Sequence, residues 1–263
     1  MHKIEKVLAP DDLQRIGALI KGCRFSDGGA SARGAAQQVK ANEQLELAPE
    51  QHAALAEIVF AALRRSRDFN RTALPVELSS LMINRYATGM SYGAHFDRSF
   101  MPAPNGKQIR ADLSATLFLS PAGDYDGGEL CVARSSGEER VKLNAGDLFL
   151  YPACTLHSVA EVARGERLAI IFWVQSMIRD HEKRALVSDL DGVVGSLAQR
   201  LPGSTEVRDL SAVVNSLTRI WGELGMAATI ACGAAALHTE MGETAIAESS
   251  SRARIVARAR RPK

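Results

Sequence analysis

The chain has 263 residues, of which 46% are hydrophobic and 24% are charged, so it is long enough and apolar enough to bury a globular core. Its formal net charge is +2, but six lysines and arginines lie within the last twelve positions, so the rest of the chain carries a net charge of −4. Such a body lacks the basic face that phosphate contacts require, which argues against a nucleic-acid partner.

Four cysteines lie far apart in the sequence and form no CxxC pair, which argues against a disulfide framework and against a thiolate zinc site. The first residues have no apolar segment typical of a signal peptide, and no uncharged run approaches the roughly 20 apolar residues of a membrane span. We therefore expect a cytoplasmic protein without a membrane partner.

The first elements are predicted to be helical. Apolar residues recur at helical spacing after Pro10 and again after Pro49, and proline is common at the first position of a helix. Between these two helices, residues 23–40 are rich in glycine, serine and alanine, which predicts a loop.

From residue 78 the pattern changes to short β-favouring runs separated by turns rich in glycine, proline and asparagine. The predicted strands are 78–84, 114–120, 128–133, 140–143, 147–151, 157–162 and 167–175. Many short strands at this spacing favour a double-sheet jelly roll or barrel. The predicted fold class is mainly β with flanking helices (α+β).

Helical periodicity returns after Ser176, where two apolar stripes are separated by Pro202 and Gly203. They predict a helical pair that packs on the barrel or on another subunit, which favours a homodimer. The predicted organisation is an N-terminal helical support region at 1–77, a jelly-roll domain at 78–178, a helical pair at 179–225 and a disordered tail at 226–263.

His95 and Asp97 are two residues apart after a predicted strand, and alternate residues of an extended chain point the same way. A second imidazole, His157, begins a later strand. Two imidazoles and one carboxylate on one side of a metal are the ligands of non-haem Fe(II) oxygenases. The alternative for His95 is a surface histidine bonded to Asp97. The same spacing at His238 and Glu240 lies in the tail and is rejected.

Arg167 is the candidate partner of an acidic co-substrate. A hairpin across the turn at 164–165 would pair Val162 with Glu166 and place His157 and Arg167 on one face, about 13 Å apart. A five-carbon dicarboxylate fills that gap, with one end on the metal and the other on the guanidinium. The alternative is a solvated strand residue paired with a neighbouring glutamate.

Several segments carry a resemblance to a known family. They are Asn84-Arg85-Tyr86 through His95-Phe96-Asp97, Arg110-Ala111-Asp112-Leu113-Ser114, Tyr125-Asp126-Gly127-Gly128-Glu129-Leu130, Ala145-Gly146-Asp147 with Tyr151-Pro152, and Phe172-Trp173-Val174-Gln175-Ser176-Met177-Ile178-Arg179-Asp180. Residues 79–176 resemble the Fe(II)/2-oxoglutarate dioxygenase superfamily, and these segments resemble its PKHD-type hydroxylases, with a likeness that extends to about residue 224.

The resemblance implies a double-stranded β-helix with His95, Asp97 and His157 as ligands of one Fe²⁺ per subunit, and Arg167 bound to the C5 carboxylate of 2-oxoglutarate. It also implies the use of O₂, with oxidative decarboxylation of 2-oxoglutarate to succinate and CO₂ and hydroxylation of a substrate. Ascorbate is implied by kinship with prolyl hydroxylases alone.

Four further residues have weaker assignments. By the resemblance, Tyr86 and Asn84 could bond the keto acid end of the co-substrate, although Tyr86 could equally be a core aromatic residue. Tyr92 could line the substrate mouth. Arg110 either meets an anionic substrate or pairs with Asp112 on the strand edge.

Three other functions remain open at this point. The first is a cupin-like metal protein that does not use 2-oxoglutarate, and the second is a nucleic-acid demethylase of the same superfamily. The third is a non-catalytic binding module. For the hydroxylase, the sequence does not distinguish a small-molecule substrate from a peptidyl one.

Overall fold

Two β-sheets face each other and helices cover one of them in the computed structural model, which describes residues 1–223. The predicted tail at 226–263, with His238 and Glu240, lies outside the described residues. The helices are α1 Pro10–Ile20, α2 Ala35–Gln38, α3 Pro49–Arg65, α4 Arg67–Ala73, α5 His181–Arg200 and α6 Thr205–Trp221.

The strands of the N-terminal half are β1 His2–Ile4, β2 Phe25–Asp27, β3 Lys40–Ala41, β4 Glu43–Leu45, β5 Pro75–Leu78, β6 Met82–Ala87, β7 Ser91–His95, β8 Phe100–Pro102 and β9 Gln108–Arg110. Those that follow are β10 Leu113–Phe118, β11 Asp126–Gly127, β12 Leu130–Arg134, β13 Gly137–Val141, β14 Leu148–Pro152, β15 His157–Val159, β16 Val162–Arg164 and β17 Glu166–Ser176. The predicted jelly roll with flanking helices is confirmed.

The major sheet has eight strands in the order β1-β14-β10-β17-β6-β4-β2, with β5 paired to β17. The minor sheet has five strands in the order β13-β12-β15-β7-β3. The N-terminal region therefore supplies strands to both sheets as well as helices. The division of the chain at residues 77, 178 and 225 stays a prediction.

Strand β17 divides its side chains between two environments because alternate residues of a strand face opposite ways. Ile170, Phe172 and Val174 join the core formed with α1, α3 and α4. Arg167 and Trp173 belong to the opposite set, and both line a cavity between the sheets. The alternation of side chains along β17 thus places core residues on one face of the strand and cavity residues on the other.

The predicted hairpin between the strand of His157 and the strand of Arg167 is wrong. Strand β15 pairs with β12 and β7, whereas β17 pairs with β10, β6 and β5. The chain leaves the minor sheet after β15, passes through β16, which pairs with β11, and enters the major sheet at β17. His157 and Arg167 therefore line the cavity from different sheets. A local turn signal cannot reveal such a crossover.

The predicted loop at 23–40 is wrong in part, since it contains β2, a 3-10 helix at Gly28–Ser31, and α2, and it ends at β3. The strand carrying His95, the hairpin of β8 and β9, and α4 were not predicted. Most of these elements have two to seven residues, which is too short for a clear periodic signal.

Two glycines are required by close approaches of the chain. A Cβ on Gly93 would lie 2.7 Å from Cβ of Val39, so glycine lets the residue before β3 lie close to β7. Gly127 has a φ of +72°, and a Cβ there would lie 2.1 Å from the backbone oxygen of Glu161. Glycine at position 127 therefore lets β11 pair with β16.

The predicted helical pair is confirmed as α5 and α6, and it packs on α4 of the same chain. Buried Val187, Val194 and Val214 form its core. Nη1 of Arg71 on α4 donates to the backbone oxygen of Ser188 at 3.0 Å. Among the described residues, no helix is both long and apolar enough to cross a membrane.

Phe172 tests the helix-facing core. It is fully buried and its ring lies 6.5 Å from that of Phe69, so Phe172→Ala should leave a cavity and lower the free energy of unfolding by about 3–5 kcal/mol. Urea unfolding measures this loss. Phe100→Ala, at an exposed side chain, is the control and should change little. Equal losses in the two variants would contradict the assigned core.

Candidate active site

His95 and His157 meet because their strands are neighbours in the minor sheet. The two residues are direct partners in the register of β7 and β15, and their ring centroids lie 4.2 Å apart. Both side chains are buried. Tyr92 stacks on His95 with centroids 3.6 Å apart, and Tyr151 meets His157 edge-on at 5.2 Å. The imidazoles are therefore held by aromatic neighbours in fixed orientations.

Backbone oxygens set the proton position on both imidazoles. Nδ1 of His95 lies 2.8 Å from the oxygen of Gly93, and Nδ1 of His157 lies 2.9 Å from that of Thr155. A carbonyl oxygen only accepts, so each Nδ1 carries the proton and donates it. Each Nε2 then keeps its lone pair for another partner. In metal sites, a hydrogen bond from the other ring nitrogen orients a ligating histidine in the same way.

Asp97 follows the end of β7, and its carboxylate accepts hydrogen bonds from side chains of the major sheet. Its Oδ2 accepts hydrogen bonds from Oγ of Ser114 at 2.5 Å and from Nε1 of Trp173 at 2.9 Å. Its Oδ1 lies 3.8 Å from Nε2 of His157. One carboxylate oxygen is thus committed to the protein, and the other faces the imidazoles.

The ligand atoms of His95, Asp97 and His157 lie within 4.8 Å of one another. Burial, followed by the charge of neighbouring His157, lowers the pKa of His95 to about 4. Its imidazole is therefore neutral near pH 7, which is the form that binds a metal ion. Two imidazoles and one carboxylate suit a divalent first-row transition metal.

Arg167 is buried without a protein anion. It is 1% exposed, and its Nε, Nη1 and Nη2 have no hydrogen-bond partner among the described residues. Its guanidinium lies 5.2 Å from the ring centroids of both Tyr86 and Phe118. Cation–π contacts do not repay the cost of burying an unpaired charge, so this arrangement requires an anionic ligand.

Tyr125 and Gly128, which belong to the Tyr-Asp-Gly-Gly segment, lie next to Arg167. The hydroxyl of fully buried Tyr125 also has no hydrogen-bond partner among the described residues. A Cβ on Gly128 would lie 3.1 Å from Cε2 of Tyr125 and 3.2 Å from Cδ of Arg167. Glycine at this position therefore leaves room for the guanidinium and the phenol side by side.

A cavity of about 360 Å³ lies between the sheets and is lined by His95, Asp97, His157 and Arg167 together. This volume is at the lower end of the roughly 300–1,000 Å³ found for small-molecule sites. The lining includes apolar side chains from both sheets, among them Met82, Leu130, Val159 and Ile171. The metal-binding cluster and the unpaired guanidinium thus belong to one site.

The weaker candidates separate into two groups. Asn84, Tyr86 and Tyr92 line the cavity, and Oδ1 of Asn84 accepts a hydrogen bond from Gln44 at 3.0 Å. Burial raises the pKa of Tyr86 to about 12 and also raises that of Tyr92, so both hydroxyls stay protonated near neutral pH.

Arg110 belongs to the second group, because it is not among the described residues that line the cavity. Its guanidinium donates two hydrogen bonds to the carboxylate of Asp112, at 2.6 and 2.9 Å. The geometry therefore favours the pairing on the strand edge over contact with a substrate.

Sequence reasoning missed the residues that hold the site from the major sheet. Trp173 could have been found, because it is six residues from Arg167 on the same strand and alternate residues share a face. Ser114 could not, because its position depends on the pairing of β10 with β17, where it lies opposite Trp173. Cavity residues Ser31 and Arg33 were missed because their segment was predicted to be a loop.

Comparison with known proteins gives the family. Residues 81–175 match the family model of the 2OG-Fe(II) oxygenase superfamily. A PKHD-type hydroxylase of Nitrobacter winogradskyi is 42% identical over 221 residues, which is 84% of this chain and 98% of that protein. The chain belongs to the PKHD-type hydroxylases. PKHD-type hydroxylase YbiX of Escherichia coli is likewise 42% identical over 224 residues, 85% of this chain and 100% of that protein.

Solved structures with a similar fold include a prolyl-4-hydroxylase of Pseudomonas putida, with a TM-score of 0.42 and 20% identity over 66% of this chain and 91% of that one. Another is an oxidoreductase of the 2OG-Fe(II) oxygenase family from Burkholderia pseudomallei, with a TM-score of 0.46 and 19% identity over 66% and 81% of the two chains.

Membership of the PKHD-type hydroxylases makes the protein a dioxygenase that uses Fe²⁺ and 2-oxoglutarate. The site fits both groups on its own geometry. The His-Asp-His cluster offers the nitrogen and oxygen donors that ferrous iron accepts, and the orphaned nitrogens of buried Arg167 require a carboxylate.

The lowered pKa of His95 predicts acid sensitivity of the metal-free protein. The unfolded chain binds a proton at this residue near pH 6.5, but the folded protein does so only near pH 4. Between these values the unfolded state holds more protons, so the free energy of unfolding should fall as the pH is lowered from about 6.5 to about 4.

Urea unfolding across this pH range measures the effect. His95→Gln should reduce the pH dependence, whereas His181→Gln, at an exposed position on α5, should leave it unchanged. Identical profiles for wild type and His95→Gln would contradict a buried neutral imidazole.

Proposed function

We propose that the protein hydroxylates a small-molecule or peptidyl substrate and couples this reaction to oxidative decarboxylation of 2-oxoglutarate to succinate and CO₂. In this proposal His95, Asp97 and His157 are the iron ligands, and Arg167 binds the C5 carboxylate of 2-oxoglutarate. Asn84 and Tyr86 are assigned to the co-substrate, and Tyr92 to the substrate mouth. Ascorbate and a cytoplasmic location remain predictions.

One observation carries the proposal. A guanidinium with three unpartnered nitrogens lies in the wall of the cavity that also contains a His-Asp-His cluster. A cupin-like metal protein that does not use 2-oxoglutarate gives no reason for a buried, unpaired arginine in this wall. A dicarboxylate co-substrate supplies that reason, because one end can reach the metal while the other accepts bidentate hydrogen bonds from Arg167.

Hydrogen bonds to the protein orient all three proposed ligands. The oxygens of Gly93 and Thr155 fix the tautomers, so both Nε2 lone pairs are available. Ser114 and Trp173 occupy Oδ2 of Asp97 and leave Oδ1 as its metal-binding oxygen. Two imidazole nitrogens and one carboxylate oxygen would hold Fe²⁺, and the bound ion would supply the site at which 2-oxoglutarate and O₂ react.

The bound iron and 2-oxoglutarate supply the oxidising chemistry, which no side chain of this protein can supply. The chain's own residues bind, orient and exclude water. Tyr86 and Tyr151, whose pKa values are raised by burial, remain neutral hydroxyl donors beside the ligands. Apolar side chains such as Val159 and Ile171 limit the access of water to the reacting atoms.

The homodimer through the helical pair stays a prediction. Large apolar side chains remain exposed on α5 and α6, among them Leu186, Val193 and Ile220. An exposed apolar face of this kind is common at subunit contacts.

Arg167→Gln tests the co-substrate site. The variant loses the charge and the bidentate geometry, so the KM for 2-oxoglutarate should rise by at least about a hundredfold, given two charge-assisted hydrogen bonds. Succinate release under air measures it, and thermal unfolding checks that the variant folds. Arg164→Gln is the matched control, because Arg164 is exposed and paired with Asp126. Unchanged kinetics in Arg167→Gln would favour the cupin-like alternative.

Trp173→Phe tests the support of Asp97. The variant keeps an aromatic side chain, although a smaller one, but loses the donor to Oδ2, so the affinity for Co²⁺ or Fe²⁺ should fall by about 10–100-fold. Anaerobic calorimetric titration measures the affinity, with Trp221→Phe on α6 as the control. A change of less than about twofold would mean that this hydrogen bond does not position a ligand.

A further inference from the structure

The mouth of the cavity carries positive charge that neither the metal nor the co-substrate explains. Four cations and one carboxylate are found among the described lining residues: Arg33, Lys40, Arg98, Arg167 and Asp97. The charges of the ferrous ion and Arg167 are balanced by Asp97 and the two carboxylates of 2-oxoglutarate. Arg33, Lys40 and Arg98 therefore remain without an acidic counterpart among the described residues that line the loaded site.

Within residues 1–223, none of these three cations takes part in an ion pair. Arginines elsewhere on the surface do, as the pairs of Arg85 with Glu43 and of Arg164 with Asp126 illustrate. Some exposed cations outside the cavity, such as Lys107 and Arg200, also form no ion pair within residues 1–223. What distinguishes the mouth is that three unpaired cations line one cavity.

Lys40 is fixed in place rather than free to move into solvent. It lies on β3 opposite Tyr92, its Nζ donates to Oγ of Ser31 at 2.7 Å, and the ammonium lies 5.2 Å from the ring centroid of Tyr92. It is half-buried, and burial lowers its pKa to about 8. An anion next to Lys40 would restore the charge stabilisation that the ammonium loses on burial.

The two arginines of the mouth are exposed and come from different segments. Arg98 directly follows Asp97, and Arg33 lies between the 3-10 helix and α2. Exposed Phe96 and buried Met101 line the same cavity. The entrance therefore combines convergent cations with an apolar surface.

We propose that the prime substrate carries an anionic oxygen group, a carboxylate or a phosphate, which Lys40, Arg98 and Arg33 bind at the cavity mouth. This inference rests on the proposed function, because it assigns the substrate class of that site. The cavity volume limits the substrate to a small molecule or to the end of a chain. The apolar part of the substrate contacts Phe96, next to the bound anion at the mouth.

The test uses the full chain and the small molecules of an Escherichia coli extract, separated on an anion-exchange resin into a retained pool and an unretained pool. The first readout is succinate formation above the substrate-free rate. The second is the binding of pool components to iron-free protein, measured by ultrafiltration and mass spectrometry. The variant is Lys40→Gln with Arg98→Gln, and its control is Lys107→Gln with Arg200→Gln, at exposed positions outside the cavity.

We expect stimulation and binding by a component of the retained pool, with a loss of at least about tenfold in the mouth variant and none in the control. Activity that disappears after phosphatase treatment of the pool assigns a phosphate, and activity that survives assigns a carboxylate. Both results support the anionic group.

The proposal is overturned if the unretained pool contains the stimulating component, if the mouth variant responds like wild type, or if neither pool stimulates or binds. Failure of the proposed function is distinguishable from these results. In that case wild-type protein with Fe²⁺ and 2-oxoglutarate forms no succinate under any condition, while the binding readout still reports on the anion site.

Discussion

The site depends on the burial of one charge that the protein does not neutralise. Arg167 lies inside the jelly roll between aromatic rings, and no described side chain pairs with it. A buried guanidinium in this state is costly, so the ligand that neutralises it gains a large share of its binding energy there. Tyr125 and Gly128 shape the space around Arg167, which makes the Tyr-Asp-Gly-Gly segment part of the co-substrate pocket in our proposal.

The two sheets divide the work of the proposed centre. The minor sheet presents both imidazoles with their tautomers fixed, and the major sheet supplies Arg167 together with the donors that hold Asp97. Each sheet alone has an incomplete set of groups. The function therefore depends on packing of the sheets, which the helix-facing core around Phe172 stabilises from outside.

The sequence predicted the double-sheet fold and the residues of the cluster, because both follow from local patterns. The alternation of His95 and Asp97 and the short strands with glycine-rich turns are such patterns. The contacts between distant strands could not be predicted in this way. The hairpin assigned between His157 and Arg167 was wrong because the chain between β15 and β17 passes from the minor sheet to the major sheet through β16. The cationic mouth was missed because short pairings such as that of Lys40 with Tyr92 leave no periodic signal.

The most direct test of the central claim is a crystal structure of the protein, from crystals grown without oxygen in the presence of Fe²⁺ and 2-oxoglutarate. Our account predicts one metal ion bound by Nε2 of His95, Nε2 of His157 and Oδ1 of Asp97, with the C5 carboxylate of 2-oxoglutarate on the guanidinium of Arg167. A metal bound elsewhere, or a guanidinium that stays unpaired while 2-oxoglutarate occupies the cavity, would contradict it.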